Sequence, residues 1–252
     1  MHDSGPPGGA AILWLHGFLG SGADFAPLAE DMGPGLRHLA PDLPGHGATR
    51  ATRFSDHAMP ATAEALLAWL AAEGITRPDV VGYSMGGRLA LHLAATARDR
   101  FGSVVAVSAT PGLADPAEAA QRRAADRRLA RRLMTEPLPA FLDFWYAQPL
   151  FAGLDPASPR IAAMHTRRLR QAPAGLARSL RAMGTGAMAP LWDALPGLSA
   201  PIDAIVGAED AKFGAIGARM AASGRVRVHI VAGAGHAPHL EQPRRFVQTL
   251  QR

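Results

Sequence analysis

The stretch Pro78-Asp79-Val80-Val81-Gly82-Tyr83-Ser84-Met85-Gly86-Gly87-Arg88 leaves little choice of local structure. β-Branched residues lead into it, and the helix formers Leu89-Ala90-Leu91 and Leu93-Ala94-Ala95 follow. It therefore predicts the end of a buried strand, a sharp turn and a helix. In Gly82-x-Ser84-x-Gly86 the serine falls on the turn, where its hydroxyl is pushed above a sheet. Glycines are required on either side because side chains there would collide with the neighbouring strand and helix. The helix N-terminus, with unpaired N–H groups and partial positive charge, lies beside Ser84. An anion forming at that hydroxyl is stabilised.

The chain of 252 residues is long enough for one large α/β domain with an insertion, and its 48% apolar content suffices for a core. No apolar run approaches the roughly 20 residues of a membrane span. The N-terminal segment lacks the basic and apolar regions of a signal peptide, so a cytoplasmic location is the expectation. With no cysteine, disulfides, thiol catalysis and cysteine metal sites are excluded. The net charge of +5 and pI near 10.8 would suit nucleic acid, but no nucleic-acid motif accompanies them. Nearly all the positive charge is arginine, Lys212 being the only lysine.

Along the chain, Ala10 to Leu15 reads as a buried strand ended by His16-Gly17, with a helix from about Ala23. Leu36 to Ala40 is a second strand, closed by the turn-rich Pro41-Asp42-Leu43-Pro44-Gly45-His46-Gly47. A helix over Thr62 to Glu73, the Ser84 turn and a strand over Ser103 to Ser108 follow. This alternation predicts a mostly parallel central sheet flanked by helices. From Thr110 strand signals cease, and proline-broken, arginine-rich helical segments run to Leu195. Strands at Ile202 to Gly207 and Val226 to Val231 and a helix near Pro243 resume the rhythm. The expected division is a core at 1–109, a helical cap at 110–195 and the rest of the core at 196–252.

A serine hydroxyl needs a histidine to take its proton and an acid to orient that histidine. Gly207-Ala208-Glu209-Asp210 and Gly233-Ala234-Gly235-His236 both follow predicted strands, in the order such partners take after a serine on this kind of turn. Asp210 and His236 are the nominated partners of Ser84; Glu209 is the alternative acid and His239 the alternative histidine. Oxyanion donors are expected at the N–H after the serine, Met85, and at Phe18 in His16-Gly17-Phe18-Leu19-Gly20. His46 is read as a structural residue holding its turn. Without cysteines or a paired-histidine motif, neither a metal nor a cofactor is expected.

Leu15-His-Gly-Phe-Leu-Gly20, Asp42-Leu-Pro-Gly-His-Gly47 and Gly82-Tyr-Ser-Met-Gly-Gly-Arg88 together resemble the α/β-hydrolase superfamily. Thr135-Glu-Pro-Leu138, Phe144-Trp-Tyr-Ala-Gln-Pro-Leu-Phe151, Met183-Gly-Thr-Gly186 and Gly207-Ala-Glu-Asp-Ala-Lys-Phe213 narrow the resemblance to the MenH family. These are 2-succinyl-6-hydroxy-2,4-cyclohexadiene-1-carboxylate synthases of menaquinone and phylloquinone biosynthesis. The resemblance implies an α/β-hydrolase fold with a helical cap. It also implies a carbon–oxygen lyase that removes a ring proton and eliminates pyruvate without an acyl-enzyme, with Ser84, activated by His236 and Asp210, as base. It carries substrate contacts to Tyr83, Arg88, Arg122, Trp145 and, in Arg167-Arg168-Leu169-Arg170, to Arg168, with Arg170 as competitor. The chain departs from the family's polar pattern at Gln171-Ala172-Pro173-Ala174.

Residues 116–181 hold twelve arginines against five acids, a composition suited to a small polycarboxylate substrate. The competing expectation is a hydrolase, an esterase or carbon–carbon bond hydrolase, using the same triad on an anionic substrate, since one site geometry hosts several chemistries. The sequence carries no signal of oligomeric state.

Overall fold

The computed structural model describes residues 2–49 and 53–251. Its strands are β1 (His2–Ser4), β2 (Ala10–Leu15), β3 (Leu36–Ala40), β4 (Asp79–Tyr83), β5 (Val104–Val107), β6 (Ile202–Gly207) and β7 (Val226–Val231). The helices are α1 (Ala26–Asp31), α2 (Met59–Ala72), α3 (Met85–Thr96), α4 (Pro116–Thr135) and α5 (Leu138–Tyr146). They continue with α6 (Pro159–Arg168), α7 (Pro173–Met183), α8 (Ala211–Ala221), α9 (Pro238–Glu241) and α10 (Pro243–Leu250).

The strands form one sheet in the order β1-β3-β2-β4-β5-β6-β7, parallel throughout except for β1 against β3. Burial on both faces explains the uninterrupted apolar strands. Along β2, Leu13 and Leu15 enter a core with Leu66, Leu89 and Leu93 from α2 and α3, and Met220 from α8 joins them. Ile12 and Trp14 point the other way, onto Phe25, Leu28 and Phe246 beneath α1 and α10. β1 carries no apolar pattern and escaped the sequence reading; it docks through backbone pairing and the Arg37–Asp3 ion pair.

Between β5 and β6 the regular elements are helical, chiefly α4 to α7. α4, α5 and α7 share an apolar centre of Ala130, Leu133, Phe141, Leu142, Leu176, Ala177 and Leu180, while α6 packs through Ile161 and Met164 onto Ala237 and Leu240. From the loop after β2, the fully buried Leu19 enters that centre and Phe18 packs against it. Among the described residues no helix is long and apolar enough to cross a membrane.

Candidate active site

All the candidate groups emerge at the carboxyl edge of the parallel sheet: residues 16–20 after β2, Ser84 after β4, Asp210 after β6 and His236 after β7. Ser84 has φ 51° and ψ −103°, left-handed backbone that costs an L-residue about 1–3 kcal/mol. Its surroundings impose it: Ser84 N–H donates to Val107 O at 2.8 Å, and Ser84 O accepts from Arg88 N–H at 3.0 Å. A Cβ on Gly82 would overlap the Gly86 carbonyl, and one on Gly86 the Leu15 carbonyl, so both contacts are backbone and cannot yield. This explains why glycine stands at both positions.

His236 Nδ1–H donates to Asp210 Oδ2 at 2.8 Å, and both residues are buried. Asp210 also caps α8, its Oδ1 accepting the Phe213 N–H at 3.1 Å. Burial pushes the Asp210 carboxyl up, but the hydrogen bonds from His236 and Phe213 outweigh it and hold the net value below the usual range. An ionised Asp210 only accepts, so the His236 proton sits on Nδ1 and leaves Nε2 as the free base. Glu209 is exposed. His239 lies behind Tyr83, with ring centroids 4.3 Å apart, in a site where burial lowers it to about 3. Glu241, unremarked in the sequence, fastens the histidine loop by accepting from Gly235 N–H at 2.6 Å and Ala237 N–H at 2.8 Å.

Phe18 and Met85 both lie at the cavity wall beside Ser84. Met85 opens α3, so its N–H has no carbonyl one turn earlier to meet. The loop carrying Phe18 is tightly determined. Leu19 has φ 68°, which costs a leucine about 1–2 kcal/mol. Gly20 N–H returns to Gly17 O at 2.9 Å and Leu19 N–H to His46 Nε2 at 3.3 Å. His16 bridges Gly17 O (2.8 Å) and the Leu43 N–H (2.9 Å). Burial lowers both histidines, so each is neutral, with one ring nitrogen donating and the other accepting. His46 is thus a structural residue of the turn, as read.

Ser84, Met85, Phe18 and His236 line one cavity of about 430 Å³ roofed by α4 to α7. No hydrogen bond joins Ser84 Oγ to the His236 ring among the described residues; the two share the cavity wall. Tyr83, Arg88, Arg122, Trp145 and Arg168 line it too, and Arg170 is exposed. Arg88 is buried, donates to Met183 O at 2.7 Å and has no carboxylate within ion-pair distance among the described residues, Asp126 acting on it only from further off. Burial and the neighbouring Arg122 charge pull it down to about 10, which leaves it cationic at neutral pH. Arg122 Nε donates to Asp126 Oδ1 at 2.9 Å. Burial outweighs that ion pair and raises the Asp126 carboxyl above its ordinary value.

Arg168 is committed differently from a free substrate contact. Its guanidinium pairs with Asp24 at 2.7 and 3.0 Å, and its Nε donates to Tyr146 Oη at 3.1 Å. Asp24, joined also by Arg167 at 2.9 Å, was invisible in the sequence because a single acid in a loop carries no pattern. Trp145 packs on Phe18 at 5.2 Å and on Phe141 at 6.0 Å while facing the cavity. Lys212 lines the cavity as a fourth cation. Its place two residues after Asp210 was the available signal.

A family model described as the alpha/beta hydrolase family matches residues 12–249. The chain belongs to the α/β-hydrolase family. Within it, the chain is 34% identical to 2-succinyl-6-hydroxy-2,4-cyclohexadiene-1-carboxylate synthase of Salmonella paratyphi C (strain RKS4594), over 99% of this chain and 96% of the relative. Among solved structures, MenH from S. aureus superimposes with a TM-score of 0.88 at 27% identity, covering 96% of this chain and 92% of that one. A thermophilic esterase from Thermogutta terrifontis, solved with malate bound, gives 0.82 at 26% identity, covering 99% and 90%.

Proposed function

We propose that this α/β-hydrolase is a carbon–oxygen lyase that forms 2-succinyl-6-hydroxy-2,4-cyclohexadiene-1-carboxylate by eliminating pyruvate from the 5-enolpyruvyl cyclohexene precursor. In this reading it serves menaquinone or phylloquinone biosynthesis. The observation that carries the substrate class is the cavity's charge: Arg88, Arg122, Arg168 and Lys212 line it, while Asp126 and Asp24 offset only Arg122 and Arg168. A buried cation without a carboxylate is strongly destabilising unless a ligand supplies one. Arg88 is that cation. The nearly full-length relationship to the Salmonella synthase supports the reaction.

Chemically, Nε2 of His236 takes the Ser84 proton as the hydroxyl removes the ring proton. The C2–H electron pair forms a C2=C3 bond, the existing C3=C4 pair moves to C4=C5, and the C5–O bond to the enolpyruvyl group breaks. The departing enolate takes the proton held by His236 to become pyruvate, which restores the neutral histidine. Charge building on the oxygen of the succinyl carbonyl attached to C2 meets the Phe18 and Met85 N–H groups, each such donor contributing about 2.7–4 kcal/mol.

The test is pyruvate release from the enolpyruvyl substrate by wild type, Ser84→Ala and Arg88→Met. Loss of roughly 10³-fold or more in kcat is expected for Ser84→Ala. For Arg88→Met the expectation is a roughly 10- to 100-fold fall in kcat/KM, from one lost charge-assisted contact of about 1.5–3 kcal/mol. The likeness to the malate-bound esterase supports a second reading, hydrolysis of an anionic ester. Efficient aryl-ester turnover without pyruvate release would favour it.

A further inference from the structure

We propose that Gln171 is a positioning residue that, from the cap, fixes the loop presenting the Phe18 N–H. It is buried at 6% exposure in the turn between α6 and α7. Its Nε2 donates to two consecutive carbonyls of that loop, Leu19 O at 3.1 Å and Gly20 O at 2.9 Å. Its Oε1 accepts the Gly47 N–H at 2.8 Å, on the loop that also carries His46. Both amide hydrogens and the amide oxygen are thereby used. The reverse orientation would set oxygen against two carbonyl oxygens, so the network admits one orientation. Only a carboxamide supplies two donors and an acceptor from one uncharged planar group.

What the amide holds is a strained turn. Leu19 stands in left-handed backbone, and such conformations persist only where the surroundings over-determine them. The carbonyl of Leu19 is held by Gln171, its N–H by His46, and its side chain by the apolar centre of the cap. Four and three residues before Gln171, Arg167 and Arg168 grip Asp24, whose Oδ2 accepts the Ser21 N–H at 3.1 Å. Arg167 and Arg168 at the end of α6, and Gln171 just after it, thus hold residues 19–24. The Phe18 N–H lies two peptide units before the clamped Leu19 carbonyl, inside the turn that Gly20 N–H closes on Gly17 O, so holding those carbonyls restrains its direction.

This inference rests on the reading of Phe18 N–H as an oxyanion donor. Two variants separate the ends of the amide. Gln171→Glu keeps the acceptor for Gly47 but places oxygen against the two loop carbonyls. Gln171→Met keeps the length and removes all three hydrogen bonds. Steady-state pyruvate release, thermal melting and amide hydrogen exchange over residues 17–20 are measured on the full chain. Both variants are expected to lose about tenfold or more in kcat, as misplacement of a positioned group by a fraction of an ångström does. KM should stay within about twofold, because ground-state binding relies on the arginines, and exchange at residues 17–20 should accelerate.

Unchanged kcat per folded enzyme in both variants overturns the proposal and leaves Gln171 a packing residue. A raised KM at unchanged kcat also overturns it, making Gln171 a substrate contact. Unchanged exchange in Gln171→Glu overturns it whatever the activity. Should the wild type release no pyruvate, the functional reading falls. The same kcat and KM comparison on an aryl ester the wild type cleaves then decides the clamp, since ester cleavage needs the same oxyanion donors.

Discussion

Asp24 shows how a single buried charge joins two parts of the chain. It is 5% exposed between Arg167 and Arg168, and while burial alone would raise its carboxyl, the two guanidinium groups and the Ser21 N–H lower it to about 2. Replacing one partner of such a group leaves uncompensated buried charge, so Asp24→Asn is expected to lose about 3–5 kcal/mol of unfolding free energy at pH 7. Urea denaturation measures it. Because the folded pKa lies below the unfolded value of 3.8, the stabilisation is complete above pH 3.8 and is lost as pH falls through about 2. The gap between wild type and Asp24→Asn should therefore narrow as pH falls from 3.8 through about 2; a constant gap would remove the electrostatic account. Ser84, Asp210 and His236 could be nominated from the sequence because each follows a strand at a turn with its own signature. Asp24 and Gln171 could not, since their partners lie 143 to 144 and 124 to 152 residues away, separations that no local rule connects.

The turn from β4 to α3 is the element on which the site's geometry depends. Gly86 faces the Leu15 carbonyl of the neighbouring strand, and a methyl group there has only backbone to displace. Gly86→Ala is expected to lower stability by more than about 3 kcal/mol, or to abolish soluble expression, through overpacking of a rigid contact. Thermal unfolding of the purified variant checks this. A melting temperature within a few degrees of wild type would mean that the strand and helix can part. The element ends were partly legible. Val226–Val231 coincides with the predicted strand because its apolar run is bounded by glycines. The segment predicted to be helical from about Ala23 is instead a 3₁₀ turn at Gly22–Phe25 followed by α1, since Asp24 turns inward to the arginines and caps Ser21.

At the scale of the whole molecule, four cations converge on a cavity whose walls are largely apolar side chains. Such a cleft focuses field lines and raises the encounter rate of an anionic substrate, an effect that salt screens over about 8–10 Å. For the polycarboxylate substrate, kcat/KM is expected to fall several-fold between about 50 and 500 mM salt. For a neutral aryl ester it should stay nearly flat. Parallel salt titrations of the two substrates test this, and equal slopes would argue that the cations act only after binding.

By itself the sequence determined the alternation of strands and helices, the glycine-enforced turn at Ser84 and the loops bearing Asp210 and His236. Each rests on local sterics or a short hydrophobic period, which neighbouring residues specify. It also determined that the segment between β5 and β6 is basic, by composition alone. Only the tertiary structure decided which of those arginines face the cavity and which are already neutralised. Arg88 is left without a carboxylate within ion-pair distance while Arg168 is bound to Asp24, from a stretch of chain far away in sequence. Charge pairing across the cavity is a matter of distance in space, and the packing of α4 to α7 over the sheet's carboxyl edge sets that distance.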